Sequence, residues 1–231
     1  MIMITVALLL SLVLCLLFGV PYIDFLKKKT IGQYILDVAP EAHAKKAGTP
    51  TTGGVFIILA IIVSSLITLL MAEKTDNSAL IILTTLFFMA LAGFQDDYLK
   101  LKGHENRGMS PRGKLLRQIL IALIPTLYAM QMYGTVVILG SKSFDIGFLY
   151  PILAVFVITG ASNAYNLTDG LDGLAISVGI PAFIACGIIS FLGGHSVVAI
   201  VCASAVGASL GFLKYNKPKA QVFMGDTGSL A

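Results

Sequence analysis

The sequence predicts an all-α, polytopic membrane helix bundle, and three observations lead there. Of 231 residues, 57% are hydrophobic and only 12% charged, about half the roughly 25% charged share of an ordinary soluble domain. The apolar residues gather into seven runs long enough to cross ~30 Å of hydrocarbon. The basic residues fall almost entirely in alternate gaps between those runs, the pattern that sorts loops between two sides of a membrane.

Taken in order, the first run, near residues 3–23, begins MIMITVALLLSLVLCLLFGV. No basic residue precedes it, and its apolar stretch is nearer twenty residues than ten, so it is expected to be a retained span rather than a cleaved signal peptide. Its positive charges, Lys27, Lys28 and Lys29, come afterwards. GTPTTGG (48–54) supplies Gly and Pro punctuation before the second run, 55–72. The third, 79–95, leads into GFQDDYLKLKG (93–103), and the fourth covers 115–133. A loop at 134–146 precedes the fifth, 147–164, which NAYNLTDGLDG (163–173) joins to the sixth, 174–192. The seventh, 197–213, contains CASAVGASLG (202–211), whose small residues predict close helix–helix approach. VFMGDTGSLA (222–231) reads as a tight turn running into a further helix, so about seven spans are present with an eighth beginning. Cys15, Cys186 and Cys202 lie inside apolar runs in no metal-ligand spacing and are assigned to packing. With no repeat or soluble module, residues 1–231 form one integral-membrane domain.

The gaps at 24–54, 96–117 and 214–219 carry 5, 6 and 3 Lys plus Arg, whereas the opposite gaps carry only Lys74 and Lys142. The positive-inside rule then puts the basic face in the cytoplasm and the N-terminus outside. Nine of the twelve acids share the basic face, and Asp96, Asp97, Asp169, Asp172 and Asp226 lie at the ends of spans rather than out in loops.

Three polar constellations meet at that face. In NAYNLTDGLDG, Asn163, Asn166, Asp169 and Asp172 repeat every three residues, about 300° per step on an α-helix, so one straight helix cannot aim all four at one point. A break permitted by Gly170 and Gly173 would let Asn163 and Asn166 end one span while Asp169 and Asp172 begin the next; a capping turn with solvated side chains is the alternative. In GFQDDYLKLKG, adjacent carboxylates at a span end must be solvated, paired or holding a cation. Lys100 is spaced to reach both Asp96 and Asp97 if the helix continues; the alternative is an ordinary charged helix end. In VFMGDTGSLA, Asp226 lies between two glycines, at a turn whose following helix offers free N–H groups to an anion, or at a plain Asp N-cap. Together these carboxylates suit a hard divalent cation such as Mg²⁺. Lys100, Lys102, Arg107, Arg112, Lys114 and Arg117 suit phosphate. Their sum is a metal-and-phosphate site at the boundary of cytosol and lipid. His104 and His195 have no partner ligands in sequence and are assigned no catalytic part.

NAYNLTDGLDGLA, GFQDDYLK and VFMGDTGSLA resemble the signature motifs of the polyprenyl-phosphate N-acetylhexosamine-1-phosphate transferases. HAKKAGTPTTGG (43–54), NRGMSPRGKLLRQ (106–118) and YNKPKAQVFMGDTGSLA (215–231) are most similar to the bacterial phospho-N-acetylmuramoyl-pentapeptide transferase branch, and the likeness covers essentially the whole chain. The resemblance implies Mg²⁺-dependent transfer of phospho-MurNAc-pentapeptide from UDP-MurNAc-pentapeptide to undecaprenyl phosphate, giving lipid I and UMP in peptidoglycan synthesis. It implies that Asp226 is the main metal ligand, with Asn166 beside it. Asp96 would orient or deprotonate the lipid phosphate, with Asp97 next to it. Lys100 and Lys114 would contact phosphates; Asn163, Asn166, Asp169, Asp172 and Asn216 would line the nucleotide and metal region; His43 matches a functionally important His. Direct attack by the lipid phosphate is favoured over a covalent aspartyl-phosphate. The implied setting is the bacterial inner membrane, with membrane lipid and the two substrates as partners, no nucleic acid, and a homodimer as a further expectation. The family continues beyond the position of Ala231 with further spans and a His-rich loop, so a C-terminally incomplete chain of low activity is expected. The rival readings are a UDP-GlcNAc-using sister transferase, a cation-coupled transporter and a non-catalytic fragment.

Overall fold

The computed structural model describes residues 1–28, 49–103 and 108–231. His43, His104 and Arg107 lie outside the described residues. Among the described residues seven long helices follow one another: α1 (Ile2–Lys28), α2 (Gly54–Met71), α3 (Asn77–Gly103), α4 (Pro111–Tyr133), α5 (Leu149–Thr168), α6 (Leu174–Leu192) and α7 (Ser196–Asn216). A five-residue helix, α8 (Gly225–Ser229), comes last. All of the long helices except α5 are long and apolar enough to span a membrane. The end of α5 carries Asn163 and Asn166 instead of aliphatic residues.

The expected all-α bundle is therefore present, with one addition. The loop at 134–146 contains a two-stranded antiparallel hairpin, β1 (Val136–Leu139) and β2 (Lys142–Asp145), paired Val136 to Asp145 through Leu139 to Lys142. Its β-branched VVIL strand and the Gly140 turn at positive φ account for it.

Some helices extend beyond their apolar runs. α1 continues to Lys28, and α3 carries Asp96, Asp97 and Lys100 as helical residues rather than at its exit. Asn163 and Asn166 lie in the closing turns of α5, but Asp169 caps α5 and Asp172 lies in the turn before α6. Neither acid opens α6 as the spacing had suggested. The break itself is where expected, and Gly173 supplies its positive φ of 73°.

α7 is the central helix, packed against α1, α2 and α6. Its small residues make that possible: a Cβ on Gly207 would strike the Leu8 carbonyl, and one on Gly211 would sit 2.9 Å from Cys15 Cβ. Lipid tails are as apolar as leucine, so close backbone packing holds these helices together rather than exclusion from water. Outward-facing Leu17, Leu70, Phe156 and Leu192 are correspondingly exposed.

Two apolar clusters mark opposite ends of the bundle. One joins Ala7, Leu69, Ala79, Val197 and Ile200. The other joins Ile23, Leu26, Phe56, Phe212, Tyr215, Val222 and Met224, with Phe56 and Phe212 rings 5.4 Å apart. At this second end the chain after α7 folds back over the start of α2. Gly53 N–H donates to Phe223 O and Gly54 N–H to Met224 O, both at 2.8 Å, and Phe223 N–H donates to Pro50 O at 2.8 Å. α8 is thereby laid against α2, α3 and α5.

Candidate active site

Asp226, the second residue of α8, is the centre of the polar network at this end. Its Oδ2 accepts from Lys114 Nζ at 2.8 Å and Lys100 Nζ at 3.0 Å, and its Oδ1 accepts from Asn166 Nδ2 at 2.9 Å. The donors come from α4, α3 and α5. Asn166 also donates to Ser229 Oγ at 2.7 Å and accepts from Lys114 at 3.2 Å. Two glycines let α8 approach this closely: side chains at Gly93 or Gly54 would collide with the backbone of Asp226, Thr227 and Gly228.

The adjacent acids of α3 face different ways. Asp96, 3% exposed, pairs with Lys100 at 2.6 Å and accepts from Met109 N–H at 2.7 Å. Lys100 thus ties Asp96 to Asp226, placing those two carboxylates around one ammonium group. Lys100 was spaced to reach Asp97 as well, but Asp97 points at α8 instead. It accepts from Asp226 N–H at 3.0 Å, Thr227 N–H at 2.9 Å and Thr227 Oγ1 at 2.6 Å. The first N–H groups of α8 are therefore taken by a carboxylate of the chain itself, so the turn offers them to no external anion.

The remaining candidates divide between pocket and frame. Asp169 reaches the back of the cluster, where it takes a hydrogen bond from the Gly225 backbone and feels the charges of Asp226 and Asp97. Asn163 does not face Asp226: it donates to Gln118 Oε1 at 2.7 Å and to Thr159 O at 2.8 Å, pinning α5 to α4. Asn216 is a buried clamp that accepts from Gly173 N–H at 3.0 Å and donates to Val222 O at 2.9 Å. Asp172 accepts from Ala220 N–H at 3.2 Å and holds the same two loops together. Arg117 donates to Gln95 at 2.6 Å, and His195 stacks edge-on against Tyr133 at the far end. Thr227, Ser229 and Gln118 take parts in the network that sequence reasoning did not assign. Gln118 alone carried a signal, as an amide inside an apolar run that needs a partner in lipid.

Burial acts to raise the Asp226 carboxyl, but hydrogen bonding with Asp96, the Lys100 charge and hydrogen bonds from Lys114 and Asn166 outweigh it and hold it well below the usual carboxylate range. Asp169 goes the other way: burial and the charges of Asp226 and Asp97 push it up to about 7, against the Gly225 hydrogen bond. Among the described residues no three His, Cys, Asp or Glu side chains converge in ligand geometry. The donor set nonetheless suits Mg²⁺. An Asp226 oxygen that holds two ammonium groups is built to face concentrated positive charge, and the surrounding acceptors are hard oxygens.

Comparison with known proteins gives the family and several relatives. A family model described as "Glycosyl transferase family 4" matches residues 79–231. The chain is 42% identical to a phospho-N-acetylmuramoyl-pentapeptide-transferase of Bacillus licheniformis over 213 residues, covering 91% of this chain and 66% of that protein. It is 40% identical to one from a Geobacillus species over 228 residues, covering 97% of this chain and 70% of the relative. Against that of Bacillus mycoides it is 40% identical over 213 residues, 91% of this chain and 66% of the relative. The chain thus spans about two thirds of the length of these curated relatives.

Proposed function

The chain belongs to glycosyl transferase family 4, and on that basis we propose that it carries the catalytic core of a phospho-MurNAc-pentapeptide transferase. The reaction joins UDP-MurNAc-pentapeptide to undecaprenyl phosphate, giving lipid I and UMP at the cytoplasmic face of a bacterial inner membrane. The observation that carries the proposal is the convergence of Lys100, Lys114, Asn166 and Asp96 from three helices around Asp226 on a fourth.

One phosphoanhydride is exchanged for another, so the reaction is nearly balanced and the barrier is chiefly electrostatic: two anionic phosphates must meet. Lys100 and Lys114 screen that repulsion and stabilise charge on the transferring phosphoryl group. Asp226, with Asn166 alongside, would hold Mg²⁺, which when bound would supply further neutralisation of the diphosphate. Lipid phosphate, with a second pKa of about 6, is already largely ionised near neutral pH. Asp96 therefore needs only to orient it and take its residual proton, and the lipid phosphate attacks directly. The boundary position of the site serves one soluble and one bilayer-held substrate.

The test is divalent-metal-dependent UMP release from UDP-MurNAc-pentapeptide with undecaprenyl phosphate, in competition with UDP-GlcNAc. Release that requires metal and the lipid, and that UDP-GlcNAc does not support, is expected. Release supported equally by UDP-GlcNAc assigns the chain to the sister activity, and vesicle cation uptake without UMP release overturns the transferase reading.

A further inference from the structure

We propose that Asp97 and Thr227 form one positioning unit, in which Asp97 fixes the backbone of the GDTG turn so that the Asp226 carboxylate faces Lys100 and Lys114. The proposal rests on the reading of Asp226 as the metal-binding carboxylate, and makes Asp97 a positioning residue rather than a group that meets substrate.

Three donors converge on this one carboxylate. Oδ1 accepts from Asp226 N–H at 3.0 Å, and Oδ2 accepts from Thr227 N–H at 2.9 Å and the Thr227 hydroxyl at 2.6 Å. Asp97 is 3% exposed, and the space between it and the turn is filled. A Cβ on Gly225 would lie 2.6 Å from Asp97 Oδ2 and 2.8 Å from Thr51 Oγ1, and Gly225 holds φ at 72° to keep that approach. No room is left there for a phosphate. Asp96, one residue earlier and so about 100° around the helix, carries the pocket-facing role through Lys100.

α8 needs such an anchor. A five-residue helix has too few internal bonds to hold its own shape, because nucleating a turn costs more than one hydrogen bond returns. Asp226 and Thr227 stand at its first turn, so whatever fixes their N–H groups also fixes where the Asp226 side chain points. α3 supplies that anchor from a long, packed helix, and the same helix contributes Asp96 and Lys100. Register between acid, lysine and α8 is thereby set by a single element.

The test compares Thr227→Val, Thr227→Ser and Asp97→Asn with the parent chain in detergent, using Mn²⁺ as probe. Free Mn²⁺ is read by electron paramagnetic resonance, backbone exchange of residues 225–228 by hydrogen–deuterium mass spectrometry without metal, and turnover by UMP release. Thr227→Val, which removes one hydrogen bond to a charged group, is expected to speed exchange of the turn and weaken Mn²⁺ binding roughly five- to tenfold. Its loss of turnover should shrink as metal is raised to saturation. Thr227→Ser, which keeps the hydroxyl, should restore both readouts to within about twofold of the parent. Asp97→Asn should weaken Mn²⁺ binding further, since its NH₂ group would oppose the Thr227 N–H, and should add little when combined with Thr227→Val. Unchanged exchange in Thr227→Val overturns the positioning unit, as does an Asp97→Asn protein that binds Mn²⁺ normally yet fails at saturating metal. Faster exchange with Mn²⁺ binding that even Asp226→Asn leaves intact would preserve the unit and overturn the metal reading of Asp226 instead.

Discussion

Asp226 concentrates more of the site's chemistry than any other side chain, because its two oxygens receive hydrogen bonds from three other helices. Replacing it by Asn keeps the shape but removes the charge that holds both lysines. Asp226→Asn is expected to lose metal-dependent turnover by at least about a hundredfold while remaining inserted and folded, as checked by UMP release alongside size-exclusion in detergent. Asp96→Asn should lose far more rate than Glu73→Gln, since Asp96 shares Lys100 with Asp226 while Glu73 lies beyond α2 at the opposite end of the bundle; equal losses would contradict the placement. Asp169 adds a pH signature. Its carboxyl is raised from 3.8 to about 7 by burial and by the charges of Asp226 and Asp97. Between those values the folded chain keeps a proton that the unfolded chain has released. Its contribution to stability is therefore present on the acid side and lost as pH rises through about 7. Without metal, thermal unfolding should show the parent weakening between about pH 5 and pH 8, and Asp169→Asn weakening less over that window.

At the level of elements, two close approaches decide whether the site exists. α8 touches α3 and α2 only because Gly93 and Gly54 present no side chain there. Gly93→Ala must push α8 off α3, and is expected to cost about 1–3 kcal/mol and most of the turnover, as read by thermal unfolding and UMP release. Gly207→Ala, where α7 meets α1 far from Asp226, should cost a similar amount of stability and proportionally less activity. A polar clamp complements these contacts. Asn216 and Asp172, expected to line the pocket, tie the 169–173 turn to the 217–224 segment, and so hold together the turn that carries Asp169 and the segment that leads to Asp226.

Across the described residues, Asp96, Asp97, Asp169, Asp226, Lys100 and Lys114 gather at the end marked by Phe56, Phe212 and Tyr215, and the hairpin, Lys74 and His195 lie at the other. The charge map leads to the expectation that the first end is cytoplasmic, which labelling can test. Cysteine introduced at Lys142 in the hairpin should label with an impermeant thiol reagent in intact cells, and cysteine at Lys217 only after permeabilisation. The reverse pattern would invert the topology and place the site on the wrong side for a nucleotide donor.

The sequence by itself determined the long helices among the described residues, the end that gathers the acids, and the three motifs that meet there. Each follows from runs of residues: hydropathy is a local average, charge bias is a count along loops, and Gly173 marks its break through its own backbone. Tertiary structure alone decided which polar side chain meets which. Asp96 and Asp97 are neighbours in sequence, yet one faces Lys100 and the other the backbone of α8, since adjacent helical residues point about 100° apart. Asn163 and Asn166 share a spacing, yet Gln118 of α4 takes the first and Asp226 of α8 takes the second. Asp96 and Lys100 are four residues apart on one helix, but the other partners lie 45 to 130 residues apart, and only the packing of helices whose small residues allow close contact brings those together.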